Sequence, residues 1–150
     1  PADLSPFMRD KIKKVIPLLL SEIGYSNGAS HIEVKYQDNK LYLIEINLRG
    51  GGDEISNKLV QMSTGIDYLR GMIDVALGVF KQPVQVSEPA YAGIYYLCKQ
   101  TEYLLPFFKQ AKGKDWFVEG RISTEELKES HSNYERDGYL IYKSDHKIIP

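Results

Sequence analysis

The sequence predicts an α+β fold in which an antiparallel sheet packs against helices. The first half of the chain carries one helical pattern, then a β-hairpin, then two more helical patterns, and the second half is rich in β-like runs. This order is typical of an α+β arrangement and differs from the regular strand and helix alternation of a parallel sheet. With 150 residues, 43% of them hydrophobic, the chain is long enough to form a core.

Three helices are predicted from apolar residues at helical spacing. The first lies in SPFMRDKIKKVIPLLLSEIG, where Ser5 is the expected N-cap and Pro6 the first helical residue. Pro17 is expected to kink or break this helix, and Gly24 to end it. The other two lie in EISNKLVQMSTG and IDYLRGMIDVALG, and Gly65 separates them.

The second half of the chain has the texture of a β-rich subdomain. The polar segment KQPVQVSEP, with Pro83 and Pro89, predicts a boundary between a unit at 1–82 and a β-rich terminal unit at 83–150. Four aromatic and branched runs follow the boundary and predict strands: AYAGIYYLCKQ, EYLLPFF, DWFVEGRI and DGYLIYK.

Composition and charge exclude several classes of function. Nineteen basic and twenty acidic residues give a net charge of -1, with no like-charge block, so no nucleic-acid arm or membrane-surface patch is expected. The single cysteine, Cys98, allows no internal disulfide and no cysteine-rich metal site, which favours a reduced, cytoplasmic setting. No apolar run is long enough to span a bilayer, and the first residues lack a signal-peptide layout. The start without Met predicts that the chain is cut from a longer polypeptide.

The segment HIEVKYQDNKLYLIEINLRGGGDE predicts a hairpin with one polar face. Its even positions are apolar or aromatic, and its odd positions carry nearly every polar side chain of the two strands together with two leucines: His31, Glu33, Lys35, Leu41, Leu43, Glu45, Asn47 and Arg49. A three-residue loop, Asp38 to Lys40, keeps the two parities in agreement and places Gln37 opposite Leu41. In that register Glu33 lies directly opposite Glu45.

Two facing carboxylates predict a cation between them. Like charges at facing positions destabilise a strand pair unless something compensates, and a divalent ion does so. Asn47 adds a neutral oxygen on the same face, and hard oxygen donors of this kind suit Mg²⁺. Arg49 follows at the end of the strand, where its planar guanidinium is suited to bind phosphate or carboxylate oxygens.

Simpler interpretations of the same residues stay open. A solvated sheet face with Lys35 shielding Glu33 explains the alternating charges, although Leu41 and Leu43 on that face favour a ligand cleft. The RGGGD stretch forms either a tight turn or an anion contact at the following helix, and His31 is interpreted as structural.

With Glu33, Glu45, Asn47 and Arg49 in place, the sequence resembles the ATP-grasp ligase superfamily. The acid on one strand, E-x-N-x-R on the next, the glycines and the TGID-type segment resemble the family's C-terminal half-site. RDGYLIYKSD is similar to the closing strand of carboxylase and amino-acid-ligase members. The resemblance implies the C-terminal lobe of an ATP-grasp fold, and it covers most of the chain after about residue 10.

The resemblance also implies an activity and roles for the four residues. The activity is ATP-dependent ligation of a carboxylate to an amine or thiol through an acyl phosphate, with Mg²⁺ (or Mn²⁺) as cofactor and ATP as co-substrate. Glu33, Glu45 and Asn47 resemble the metal ligands, Glu45 as a bridge between two ions. Arg49 resembles the catalytic residue that meets the transferred phosphoryl group, and all four are expected to bind the nucleotide phosphates.

The family's first lobe has no counterpart upstream of Glu33, because a single helix precedes the hairpin and no Gly-x-Gly loop is present. The missing N-terminal lobe of the same enzyme is therefore an expected partner, and the chain alone is expected to be inactive. A small carboxylate, within the family an amino acid, is the expected substrate. Carboxylase or carbamoyl-phosphate-type chemistry and a homo-oligomeric state stay open.

A second hypothesis is a non-catalytic binding or assembly module that keeps the fold and uses its aromatic tail, with Tyr103, Phe107 and Phe108, as a contact surface. Trp116, Glu119 and Arg121 are interpreted as strand packing and a surface pair. A solvated helical face is the interpretation of four further charged residues: Glu125, Glu126, Lys128 and Glu129.

Overall fold

The computed structural model describes residues 4–150 and has an α+β fold built on two separate antiparallel sheets. A two-stranded sheet pairs β1 with β2, and a three-stranded sheet has the order β3-β5-β4. The helices are α1 (Pro6–Glu22), α2 (Val60–Thr64), which continues a π-helical turn (Ile55–Leu59), α3 (Tyr68–Ala76) and α4 (Leu105–Ala111). The strands are β1 (His31–Gln37), β2 (Lys40–Asn47), β3 (Tyr91–Leu97), β4 (Phe117–Ile122) and β5 (Gly138–Ser144).

Helix α1 begins as the sequence predicts, runs through Pro17 without a break and ends just before Gly24. The Ser5 hydroxyl accepts the Met8 N–H at 3.3 Å, and Pro6 occupies the first turn. Pro17 lies inside the helix without ending it. Proline removes the hydrogen bond to the carbonyl four residues earlier. The carbonyl that loses its donor belongs to Lys13, which is exposed, so water can donate a hydrogen bond to it.

Helices α2 and α3 confirm the two predicted helical segments and their separation at Gly65. Gly65 caps α2 at a φ of 76°, a left-handed conformation that glycine adopts at little cost. The Asp67 carboxylate then accepts the Arg70 N–H at 2.9 Å and starts α3.

The hairpin confirms that Glu33 faces Glu45, although its loop differs from the expectation. Asp38 and Asn39 have φ values of 51° and 59° and form a two-residue turn, so Gln37 pairs with Lys40. The register then shifts between Glu33 and Val34, which leaves Ile44 without a partner across the strand pair. The short turn and the unpaired residue offset each other, and the expected acid pair forms.

Part of the second half is helical where strands were predicted. The run EYLLPFF lies in a 3₁₀ turn (Lys99–Leu104) and in α4, so the strand prediction there is wrong. Thr101 explains why the chain leaves the strand conformation after β3, because its hydroxyl accepts the Cys98 N–H at 3.0 Å and donates to the Tyr96 carbonyl at 2.8 Å. Such side-chain bonds offer the backbone an alternative to a strand ladder.

The charged stretch from Glu125 to Glu129 forms no helix, so that prediction is also wrong. Its backbone is held instead by neighbouring segments: the Asp137 carboxylate accepts the Lys128 N–H at 2.7 Å, and the Lys128 carbonyl accepts the Lys99 N–H at 2.8 Å. These bonds to distant partners take the place of an intrahelical ladder.

The hydrophobic core lies in the second half of the chain. Phe107 stacks on Trp116 at 5.3 Å between ring centroids and Phe108 is buried, so most of the aromatic tail serves the core and leaves Tyr103 exposed. The core cluster consists of buried side chains from this half: Leu97, Leu104, Phe108, Ala111, Leu140, Tyr142 and Ile148.

The first half, by contrast, leaves much apolar surface open. No apolar side chain is buried among residues 4–90, and exposed ones include Phe7 and Leu18 on α1 and Leu69 and Ile73 on α3. The accessible surface is 10493 Å², whereas a compact monomer of 17.1 kDa exposes about 7,800 Å². No helix within residues 4–150 is both long and apolar enough to cross a membrane.

Candidate functional site

The candidate site begins on the hairpin with two residue pairs. Glu33 lies directly opposite Glu45, and His31 lies opposite Asn47 at the strand ends. Side chains alternate along a strand, so these four residues share one face of the hairpin. Both glutamates are exposed, and neither forms an ion pair with a side chain in residues 4–150.

Leu41 and Leu43 do not line this acidic face. Because the turn has two residues, Leu41 pairs with Tyr36 and Leu43 with Val34, which places both leucines on the opposite, apolar face. The argument that leucines beside the acids indicate a cleft is therefore wrong. Their places on the acidic face are taken by Lys40 and Tyr42, opposite Gln37 and Lys35.

The donor set fits a weakly held magnesium ion. Two carboxylates and one amide oxygen leave coordination positions for water and phosphate oxygens, as Mg²⁺ prefers. Within residues 4–150 no three His, Cys, Asp or Glu side chains gather into a group that could hold a metal. Glu33, Glu45 and Asn47 are thus the residues that would hold the ion, and an open site of this kind needs oxygens from a bound phosphate to complete it.

Arg49 lies on the turn that follows β2, with an exposed side chain. Its Nη1 donates to the Gly50 carbonyl at 2.8 Å, and within residues 4–150 its side chain forms no other hydrogen bond. The pattern E-x-N-x-R therefore brings Arg49 to the end of the strand that carries Glu45 and Asn47, as the sequence predicts.

The glycines after Arg49 allow close packing. A Cβ at Gly50 would lie 2.7 Å from Ser56 Oγ and 2.9 Å from Met72 Sδ, and one at Gly51 would lie 3.0 Å from Ile55 Cγ2 and 3.3 Å from His31 Cδ2. Ser56 Oγ is buried and has no hydrogen-bond partner among the described residues. The loop is therefore tightly packed against the helix that follows, and Gly50 is required there for space.

Two residues with positive φ follow the glycines. Asp53 and Glu54 have φ values of 52° and 63°, and consecutive non-glycine residues in this region are unusual. Sequence reasoning did not single out either residue or their partners, since RGGGDE gives no local sign of which distant side chains bind it.

Those partners come from the three-stranded sheet and from the helix. An Arg136 guanidinium nitrogen lies 3.1 Å from the Asp53 carboxylate. Lys58 Nζ lies 3.4 Å from the Glu54 carboxylate and 2.6 Å from that of Glu119. The hydrogen bond from Lys58 lowers the pKa of Glu119, and the same bond raises the pKa of Lys58. Glu119 thus pairs with Lys58, which corrects its interpretation as half of a surface pair with Arg121.

The fold has counterparts among solved ligase structures. Phosphoribosylglycinamide synthetase from Anaerococcus prevotii matches with a TM-score of 0.72 and 19% identity over 97% of this chain and 39% of its own. L-amino acid ligase from Bacillus licheniformis matches with a TM-score of 0.69 and 20% identity over 97% of this chain and 38% of its own. No family model and no curated protein matches the sequence.

Both neighbours are ATP-grasp enzymes, and the chain spans about two-fifths of the length of each. Similarity at this level of identity concerns the fold, and the match lies in the C-terminal portion of the neighbours. The chain therefore has the fold of the C-terminal part of an ATP-grasp enzyme, as its E-x-N-x-R hairpin suggested.

Proposed function

We propose that this chain supplies the magnesium and ATP-phosphate site of an ATP-dependent ligase that joins a carboxylate to an amine through an acyl phosphate. The observation that carries the proposal is the pairing of Glu33 with Glu45, with Asn47 at the end of the same strand and Arg49 on the turn that follows it, in a chain with an ATP-grasp fold. A like-charged pair at facing positions is unfavourable by itself, and binding a divalent cation removes the cost.

Each residue then has a defined role. Glu33 and Glu45 would hold Mg²⁺ with their carboxylates, and Asn47 would contribute its amide oxygen. Bound Mg²⁺ supplies charge neutralisation for the ATP phosphates, which is the main requirement of phosphoryl transfer. Arg49 donates from its exposed guanidinium to the phosphoryl oxygens as the carboxylate attacks, because a planar guanidinium can bind two of them at once.

The other part of the ATP site is proposed to come from a further lobe of the same enzyme. The chain exposes roughly 2,700 Å² more than a compact monomer of its mass, an area on the scale of a large interface. The excess apolar surface lies in the half that carries the candidate site. We expect the isolated chain to be inactive, since nothing in residues 4–150 clasps a nucleotide base opposite the acid pair.

The test is ADP and phosphate release by the longer protein that contains this segment, assayed with ATP, Mg²⁺ and pooled amino acids or other small carboxylates. Release that depends on one pool, and that Glu45→Gln abolishes while the protein stays folded, is the expected result. Glu88→Gln, an exposed carboxylate outside the hairpin, is the matched control and should leave release unchanged. Near-normal turnover by Glu45→Gln would refute the proposed site.

A further inference from the structure

The loop between β2 and the following helix is held in a conformation that its residues do not prefer. Asp53 and Glu54 both have positive φ, and such conformations persist only where the surroundings fix them. The Ile55 N–H donates to the Gly52 carbonyl at 2.9 Å and closes the turn. The Asp53 and Glu54 side chains are bound by residues outside the loop.

At Asp53 the holding groups come from the three-stranded sheet. Arg136, just before β5, pairs with the Asp53 carboxylate, and its guanidinium carbon lies 3.6 Å from the centre of the Tyr96 ring. The Tyr96 hydroxyl also donates to the Asp53 carbonyl at 3.4 Å. The Arg136 side chain is only 21% exposed, so this contact is shielded better than an ordinary surface ion pair.

At Glu54 a second set of contacts reaches the same sheet. Lys58 bridges the Glu54 carboxylate to Glu119 on β4, and the Tyr139 hydroxyl of β5 donates to Glu119 at 3.1 Å. Asn57 Nδ2 donates to Glu54 at 2.7 Å. The loop is thus attached at two consecutive residues to the part of the molecule that contains the core.

We propose that Arg136 is a positioning residue, which acts through Asp53 to fix the loop and thereby the direction of Arg49 and the loop amides toward a bound phosphate. This inference rests on the proposed function, because the phosphate is the ligand that the proposed site binds. The physical reason is that the exposed Arg49 side chain bonds only to the neighbouring Gly50 carbonyl and Gly52 has open space around it, whereas Asp53 is attached to the three-stranded sheet. A site for charged oxygens works best when its donors are ordered before the ligand binds.

The experiment compares five forms of the chain: wild type, Arg136→Ala, Arg136→Lys, Asp53→Asn and Arg70→Ala. Asparagine tolerates positive φ, so Asp53→Asn removes the ion pair without changing the backbone preference and covers the case in which Arg136→Ala fails to fold. Arg70→Ala is the matched control, since it removes an arginine–aspartate pair, Arg70 with Asp74 at 2.8 Å, whose side chains form no ion pair or hydrogen bond with the loop in the described residues.

Two readouts separate positioning from structural support. Hydrogen exchange of the Ile55 amide, which bonds to the Gly52 carbonyl and closes the turn, is expected to rise about tenfold in Arg136→Ala and Asp53→Asn, and to stay unchanged in Arg70→Ala. The affinity for methylenediphosphonate with Mg²⁺, measured by calorimetry, is expected to fall about fivefold in the same two variants. Arg136→Lys, which keeps the charge, should recover part of the affinity.

Each result leads to a distinct conclusion. If wild type binds the diphosphonate and Arg136→Ala binds it equally well, the positioning role is refuted and the proposed function stands. If hydrogen exchange of the loop amide is the same in Arg136→Ala and Asp53→Asn as in wild type, the attachment of the loop through Asp53 is refuted. If wild type does not bind the diphosphonate with Mg²⁺, the positioning role is refuted, whereas the proposed function is refuted only by the ADP-release test on the longer protein.

Discussion

Neutralising one of the two facing glutamates should stabilise the chain without metal and remove its response to magnesium. In Glu45→Gln the amide keeps the size of the side chain and removes one charge from the pair with Glu33. The two effects have opposite signs, so one variant tests both the repulsion and the metal site. A solvated sheet face without a metal site would show the relief of repulsion but no response to magnesium.

The expected magnitudes follow from the register. Facing residues in an antiparallel pair hold their Cβ atoms about 5 Å apart, and two unit charges at that distance in water repel by about 0.8 kcal/mol. Screening at physiological ionic strength reduces this to about 0.4 kcal/mol. For a site with a Kd of about 1 mM, about 10 mM Mg²⁺ stabilises the folded chain by about 1.4 kcal/mol.

The assay is urea unfolding with and without Mg²⁺. Wild type should gain about 1.4 kcal/mol from the metal. Glu45→Gln should start about 0.4 kcal/mol more stable and gain little from the metal, and Glu88→Gln should behave as wild type. The reasoning is refuted if Glu45→Gln is less stable than wild type in the absence of metal, or if it responds to Mg²⁺ as wild type does.

Two further predictions concern the contacts around the site. Glu119→Gln should cost about 0.5 to 1 kcal/mol at pH 7, because Lys58 loses its partner and both side chains are about one-third exposed. Since the pKa of Glu119 is lowered in the folded chain, the extra stability of wild type over Glu119→Gln is present above pH 4.5 and shrinks as the pH falls through the folded pKa. Urea unfolding that gives the same stability difference at pH 7 and at pH 3 contradicts this. Gly65→Ala should destabilise far more than Gly24→Ala, although both glycines have φ near 75°. The new Cβ at Gly65 lies 1.9 Å from the Ser87 carbonyl oxygen and that at Gly24 meets nothing within 4 Å, so equal thermal stabilities would refute the steric argument.

The sequence predicted the acid pair correctly, but through a partly wrong register. Asp38-Asn39 is a pair of residues that tolerate positive φ, so a two-residue turn was readable from the sequence. The unpaired Ile44 was not, because an apolar residue in a strand looks the same whether or not it has a partner across the sheet. The two errors cancelled at Glu33 and Glu45 and did not cancel at Leu41 and Leu43.

Tertiary contacts explain the other differences. The aromatic run at Phe107 and Phe108 has strong strand propensity, yet it is helical because its rings pack into the core beside Trp116. Likewise Asp53 and Arg136 are far apart along the chain, and only the fold brings them together. Local patterns thus predicted the helices on both sides of the hairpin and the residues of the candidate site. They did not predict the contact between Asp53 and Arg136, which attaches the loop after β2 to the second half of the chain.

The most direct test of the account is the amide NMR spectrum of the chain during titration with substoichiometric Mn²⁺. We predict that the paramagnetic ion first broadens the amide signals at Glu33, Glu45 and Asn47, and that excess Mg²⁺ restores them. Broadening centred on other carboxylates, or broadening that is the same in Glu45→Gln as in wild type, would contradict a metal site on the hairpin and with it the proposed ligase chemistry.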